Sequence, residues 1–397
     1  MKNRKINSKL TITISVVISY VTLFVSIILA VIYTPYVLEV LGDVEYGIRA
    51  FATSLVGYLA FLSFGMAPSY LRFANLMKKE RGEEGERHIN GIFLLFYLIA
   101  SGLALLIGGV VILLIMQGVI PLNNYTSGEQ SIIIIIMAIT VIGTMIEFPG
   151  IFMNMILTYR KKFIWINTVS LVITVLSPVI SILVLSLGGR AVAITWVAFG
   201  IAASTVIANS LYVFFSLKTK LTFRFDAKDK ILFKRVIAFS AIVFIISTLT
   251  QMSTITDKVI LGFILGAEAV TLLQISTIFN SYLNSIAVSI TGLFAPRLTE
   301  DAVNGRMDDV QYVHDFVIKV ISILLCMIVF GFASAGKEFV QAWIGVEKVD
   351  VYYYSLTILG SSILLSSQTF SFYIQRALNK NLIPAIIYIA TFVIHVG

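Results

Sequence analysis

Apolar stretches of roughly 18 residues or more recur along the whole of this chain, and no other feature narrows its fold so far. A soluble helix buries one stripe and has no use for a run that is apolar on every face. Of the 397 residues, 58% are hydrophobic and 13% are charged, against roughly 45–50% and 25% in soluble domains. Because a bilayer core offers no water to backbone groups, runs of this length must be helices. The expected class is an all-α polytopic membrane protein.

The first run, Leu10 to Tyr33, follows a basic start with Lys2, Arg4, Lys5 and Lys9. It is too long for the core of a signal peptide, and the bulky Tyr33-Thr34-Pro35 makes no cleavage site. Further spans are expected at 49–70, 91–116, 131–157, 165–187 and 192–217, and then at 236–256, 269–294, 315–335 and 352–373. A last run begins at Pro384 and reaches Gly397 after about 21 Å, against roughly 30 Å of bilayer core. It therefore either does not span or belongs to a longer chain.

With the N-terminus inside, every Lys and Arg except Arg49, Arg190, Lys258, Lys337 and Lys348 falls on the cytoplasmic side. That is the positive-inside pattern. It explains the net charge of +8 as a topology signal and leaves room for contact with anionic lipid. No loop is long enough to form a nucleic-acid-binding domain.

Three parts are expected. Residues 1–217 form an N-terminal half with helices one to six, and 218–235 a cytoplasmic linker. Residues 236–397 form a C-terminal half with helices seven to ten and the start of an eleventh. An internal echo supports the division. At a shift of 224 or 225 residues, Ser15, Thr22 and Ser26 fall on Ser240, Ser247 and Gln251, and Leu41-Gly42 falls on Leu265-Gly266. Two six-helix bundles, the second incomplete here, would enclose a central cavity between parallel repeats.

Polar residues inside spans are the functional candidates. Ser240, Ser247, Thr250, Thr254 and Asp257 run down one helical face, with Gln251 and Lys258 beside them. Facing lipid, such a stripe would leave hydroxyls and charges without partners. Asp257 and Lys258 either end the helix as interfacial charges or gate a cavity mouth. Glu147, beside Pro149 and Gly150 where the helix should loosen, is either satisfied by neighbouring helices or couples to a cation. Arg72 and Arg297 fit ordinary anchoring or phosphate binding, and Arg49 departs from the charge rule on the outer side. Gln274, Thr277, Ser281 and Asn284 form a stripe in span eight, and Ser355, Ser362, Ser366 and Thr369 one in span ten. Both suit sugar hydroxyls or plain helix contacts.

Cys326 is the only cysteine, no Cys/His cluster suggests a metal, and no glycine-rich phosphate loop suggests an ATPase, so no cofactor is expected. Asn124-Tyr125-Thr126 fits a glycosylation acceptor pattern.

Certain short motifs carry a resemblance. They are Pro35, Leu41-Gly42, Tyr46-Gly47 and Phe64-Gly65, then Asp257-Lys258-Val259-Ile260-Leu261-Gly262 with Leu265-Gly266, and Phe294-Ala295-Pro296-Arg297. In these the chain resembles the Wzx-type flippases of O-antigen or capsule repeat units. Those flippases belong to the MATE-like multidrug/oligosaccharidyl-lipid/polysaccharide exporter superfamily. Two departures stand out: Val270-Thr271-Leu272 where relatives often carry a Tyr, and fewer spans than the usual 12 or more.

The resemblance implies two bundles forming a V around a cationic cavity in a bacterial cytoplasmic membrane. The implied substrate is an undecaprenyl-pyrophosphate-linked oligosaccharide, moved between leaflets by alternating access, with contact to other polysaccharide-assembly proteins. Arg49, Lys258, Arg72, Arg297, Gln274 and Asn284 would then meet pyrophosphate and sugar, and H+ or Na+ would act at Glu147 or Asp257. A drug/cation antiporter of the same superfamily is the nearest alternative. A polytopic envelope-glycan polymerase or glycosyltransferase would need a larger external loop than this chain offers.

Overall fold

The computed structural model describes residues 2–63, 65–223, 251–252, 255–303, 305–367 and isolated positions within 236–248 and 370–375. Most of the expected linker (224–235), most of the span-seven stripe (240, 247, 250 and 254), Thr369 and the run from Pro384 lie outside the described residues. Every regular element among the described residues is helical. In order they are α1 (Lys2–Gly57), a 3₁₀ turn (Tyr58–Ser63), α2 (Met66–Met116), α3 (Ser127–Tyr159), α4 (Phe163–Ser186) and α5 (Ala191–Leu211), which runs into a π turn (Tyr212–Ser216). There follow α6 (255–264), then α7 (Ala267–Val303), α8 (Met307–Ile344) and α9 (Asp350–Ser367). Among the described residues, six helices are long and apolar enough to cross a membrane.

Two of these elements are broken by glycine. At Gly42 (φ 71°, ψ 173°) and Gly82 (φ 61°, ψ −142°) the backbone leaves helical geometry, in regions that a side chain on Cβ makes costly. Across Gly82 the chain doubles back. Tyr70 Oη donates to Asn90 Oδ1 at 2.7 Å, and Lys78 Nζ lies 2.7 Å from Glu86 Oε2. A Cβ on Gly85 would sit 2.3 Å from the Met77 carbonyl oxygen. α2 is thus a helical hairpin whose second arm carries the expected span 91–116, whereas the expected span 49–70 is divided between the end of α1, the 3₁₀ turn and the first residues of α2. At Gly42 the break is held from outside. Arg190 grips Glu45 with two nitrogens at 2.9–3.1 Å and donates to the Val40 carbonyl at 2.9 Å.

Contacts divide the chain into two compact units, Met1–Ala267 and Glu268–Gly397. In the first, α3 packs on α1, α2 and α5. A capping box starts it: Glu129 N donates to Thr126 Oγ1, and Thr126 N donates to Glu129 Oε2. Glycines let its neighbours approach closely, Gly108 of α2 against Val141 and Gly150 against Val206 of α5. At Pro149 α3 keeps helical backbone geometry. Pro149 cannot bond the Met145 carbonyl four residues back, but Ser101 Oγ of α2 lies 2.9 Å from that oxygen. The same hydroxyl lies 2.9 Å from the Tyr97 carbonyl of its own helix, so its one proton is shared between the two oxygens and replaces the missing donor only in part.

α6 also packs in this first unit. Thr256 Oγ1 is 2.9 Å from Tyr58 Oη, and Phe51 packs edge-on against Phe263. From the loop before α3, Tyr125 Oη donates to the Gly262 carbonyl at 3.0 Å and Asn124 Nδ2 to the Phe263 carbonyl at 2.7 Å. These are last-turn carbonyls that the helix itself leaves open.

The second unit is built on α7, α8 and α9 around Leu283, Ala287, Val317, Ile321, Leu325 and Leu359. Ser355, Ser362 and Ser366 of α9 are buried within it.

Candidate functional site

Two adjoining clefts in the first unit share Glu147, Ala198 and Ala202. The larger, about 430 Å³, runs between α3 (Gly150, Asn154), α4 (Ile173, Ser177) and α5 (Thr205, Asn209). The smaller, about 130 Å³, adds Arg49 and Thr53 of α1, Thr140 and Thr144 of α3, and Thr195 of α5. Ile139, Phe199 and the two alanines make the rest of its wall largely apolar. Among the described residues, Glu147 is the only carboxylate lining either cleft, and Arg49 the only Arg or Lys.

The hydroxyls have a defined polarity. Thr53 donates to the Arg49 carbonyl at 2.8 Å, Thr140 to Ile136 at 2.7 Å and Thr144 to Thr140 at 3.0 Å. Thr195 donates to Ala191 at 2.9 Å and Thr205 to Ile201 at 2.7 Å. Each hydroxyl proton is spent on its own helix, so what remains for the cleft is a set of oxygen lone pairs. That wall accepts hydrogen bonds from hydroxyl or ammonium groups, or coordinates a cation. Arg49 is its counterpart. Its Nε is buried and has no hydrogen-bond partner among the described residues, a state that costs free energy until an acceptor arrives. Guanidinium suits a phosphate or carboxylate oxygen.

Arg49 and Glu147, singled out from sequence, thus meet at one place. The other expected residues are elsewhere. Asp257 and Lys258 are half-buried on α6, and neither lines the two clefts. Arg72 is exposed on the first arm of α2. Gln274 and Asn284 lie on α7 in the second unit, where Asn284 is exposed and accepts from Ser366 Oγ. Arg297 is near the end of α7, with its side chain outside the described residues.

The threonines were missed, although a signal for them existed. Thr140, Thr144, Glu147 and Asn154 follow at steps of four, three and seven, one face of a helix. The Asn124-Tyr125-Thr126 triplet also has a structural role. Asn124 and Tyr125 hold α6, and Thr126 caps α3. Burial pushes the Tyr125 phenol well above its ordinary pKa, with Glu129 adding to the effect, so Tyr125 stays a donor.

The family model described as polysaccharide biosynthesis protein matches residues 13–300. The chain belongs to that family. Comparison with curated protein sequences returns no match. Among solved structures, the fold of this polysaccharide biosynthesis protein is similar to that of an inward-facing multidrug-resistance MATE family transporter of the MOP superfamily. That pair is 12% identical, covers 96% of this chain and 88% of the other, and has a TM-score of 0.70. A MOP superfamily transporter from Pyrococcus furiosus, noted for a binding pocket of reversed polarity, is 11% identical over 94% and 84%, with a TM-score of 0.69. The MATE multidrug transporter DinF-BH, solved as a complex, is 15% identical over 96% and 85%, with a TM-score of 0.70. At these identities the likeness is one of fold, and the expected MATE-like all-α architecture is what the chain adopts.

Proposed function

We propose that this protein is a flippase that carries a lipid-linked oligosaccharide, on an undecaprenyl-pyrophosphate anchor, from the inner to the outer leaflet of a bacterial cytoplasmic membrane. Alternating access is the mode of movement, with the N-terminus cytoplasmic. The observation that carries this reading is the cleft pair around Arg49 and Glu147. It offers a half-buried guanidinium, whose Nε is buried and has no partner among the described residues, to a phosphate oxygen. It offers a row of hydroxyl lone pairs to sugar hydroxyls. Membership of the polysaccharide biosynthesis family supports the substrate class.

Glu147 is then the group at which H+ or Na+ drives the cycle, because it is the carboxylate that lines both clefts. Asp257 is the second candidate for that role. Lys258, Arg72, Arg297, Gln274 and Asn284 are proposed contacts elsewhere on the route, which ends in handover to other polysaccharide-assembly proteins.

Arg49→Gln and Glu147→Gln should each abolish surface polysaccharide and leave lipid-linked oligosaccharide in the inner leaflet, with normal amounts of protein in the membrane. Normal polymer display by both variants removes the cleft from the mechanism. The acceptor-rich wall with its carboxylate also suits an organic cation, so a drug/cation antiporter is the second reading. Drug susceptibility measured on the same strains separates the two. Loss of drug resistance with intact polysaccharide favours the antiporter.

A further inference from the structure

The turn between α3 and α4 is Arg160-Lys161-Lys162, a triplet that topology alone explains only as charge on the inner side. The structure does more with it. The turn is tight and rigid: Lys161 N donates to the Thr158 carbonyl at 3.0 Å and Lys162 N to the Leu157 carbonyl at 2.8 Å. Lys161 takes a left-handed backbone conformation (φ 55°), one that non-glycine residues seldom adopt. This turn opens onto a cavity of about 370 Å³. Arg160, Lys161, Lys162, Thr11 of α1, and Trp165 and Thr168 of α4 line it, with Tyr212 at the start of the π turn. Among the described residues, three that line it are cationic and none is acidic.

The floor is aromatic and fixed. Trp165 and Tyr212 stack with centroids 4.3 Å apart, and Trp165 Nε1 donates to Asn209 Oδ1 at 2.9 Å. Arg160 is anchored by an ion pair with the buried carboxylate of Glu86, a partner it shares with Lys78. Its Nε is buried and has no hydrogen-bond partner among the described residues. Lys162 precedes α4 as its N-cap residue and makes no side-chain cap, so first-turn amides beside the cavity are also open to an acceptor.

We infer that this cavity is a binding site for the phosphodiester head group of an anionic phospholipid, separate from the Arg49–Glu147 cleft. The cations and open amides take the phosphate oxygens. The stacked Trp165–Tyr212 pair takes the glycerol and first acyl carbons, a position that amphipathic rings favour at a bilayer surface. Arg160 is pre-positioned by Glu86, so little side-chain entropy is lost on binding. A diffuse positive surface attracts anionic lipid without saturation or preference among its lysines; a built pocket shows both.

The test is native mass spectrometry of the full chain in detergent, titrated with phosphatidylglycerol. Two double variants remove equal charge: Lys161→Gln with Lys162→Gln, and Lys218→Gln with Lys220→Gln. The second pair lines a small neighbouring pocket that also touches Arg160 but lies outside the aromatic cavity. Size-exclusion elution and tryptophan emission without lipid check that both variants stay folded. The expected result is saturable binding of phosphatidylglycerol, weakened about tenfold or more by the 161/162 pair and less than about threefold by the 218/220 pair. Phosphatidylcholine should bind far more weakly, and inorganic phosphate at millimolar concentration should not displace the lipid. Equal losses in both variants, no saturation, equal binding of phosphatidylcholine, or displacement by inorganic phosphate would each overturn the assignment.

Discussion

Gly150 sets the width of the cleft beside Glu147, and the cost of filling it can be worked out. A Cβ placed there would lie 2.5 Å from Val206 Cγ2, 3.6 Å from its Cγ1 and 3.5 Å from its Cβ. Carbon atoms rest at about 3.5–4.0 Å, so the first contact is about 1 Å too close. Val206 is β-branched, and its χ1 has little freedom in a helix. The strain must therefore move α3 away from α5, at roughly 1–3 kcal/mol. Alanine is the better helix former by about 1 kcal/mol, which offsets part of this cost. Gly150→Ala should thus destabilise the protein by about 0–2 kcal/mol in the wild-type background.

In a Val206→Ala background the offending Cγ2 methyl is gone and the remaining contact with Cβ, at 3.5 Å, is ordinary. There Gly150→Ala should be neutral or stabilising by up to about 1 kcal/mol. Unfolding of the four detergent-solubilised proteins, followed by tryptophan emission, gives the coupling between the two positions. An effect of Gly150→Ala that is the same in both backgrounds, within about 0.5 kcal/mol, would refute the claim that Val206 limits the approach of these helices.

Ser101→Ala removes the hydroxyl whose one proton the Met145 and Tyr97 carbonyls share and should cost about 0.5–1.5 kcal/mol, while Ser101→Thr should recover most of it; melting temperatures decide. Gly82→Ala forces a Cβ into backbone geometry that favours glycine (φ 61°, ψ −142°). A loss of about 1–3 kcal/mol is expected, seen as a lower melting temperature. Glu86→Gln removes both ion pairs of a carboxylate that is 3% exposed. Its partners Lys78 and Arg160 still reach water, so the loss in denaturant unfolding should fall below the roughly 3–5 kcal/mol typical of a fully enclosed pair.

The fold was largely legible in the sequence because length and apolarity fix a membrane helix almost without tertiary information. Gly42 and Gly82 fall between expected spans, and Arg49 and Glu147 drew attention through the cost of placing charge in a span. What stayed hidden depends on contacts between distant segments. Glu86 sits in the charged run Lys78–Arg87, which reads as solvated surface. Its burial follows from the hairpin at Gly82 bringing it under Arg160, 74 residues away. Nothing in the sequence pairs Ser101 with Pro149, and only the packing of α2 on α3 brings its hydroxyl to the Met145 carbonyl. The acceptor character of the cleft was hidden for a related reason: a threonine in a sequence does not reveal where its proton goes.

The stretch that enters α3, with Asn123, Asn124, Tyr125 and Thr126 before it and Ser127 and Gly128 in its first turn, has the composition of a site where an epitope tag or protease target could be inserted harmlessly. Two of its side chains instead close the final turn of α6, 139 residues away from Asn124 in the chain. An insertion there would unpick that turn, and the amides of Leu265 and Gly266, both bonded to Leu261, would exchange with deuterium faster although nothing near them in sequence had changed.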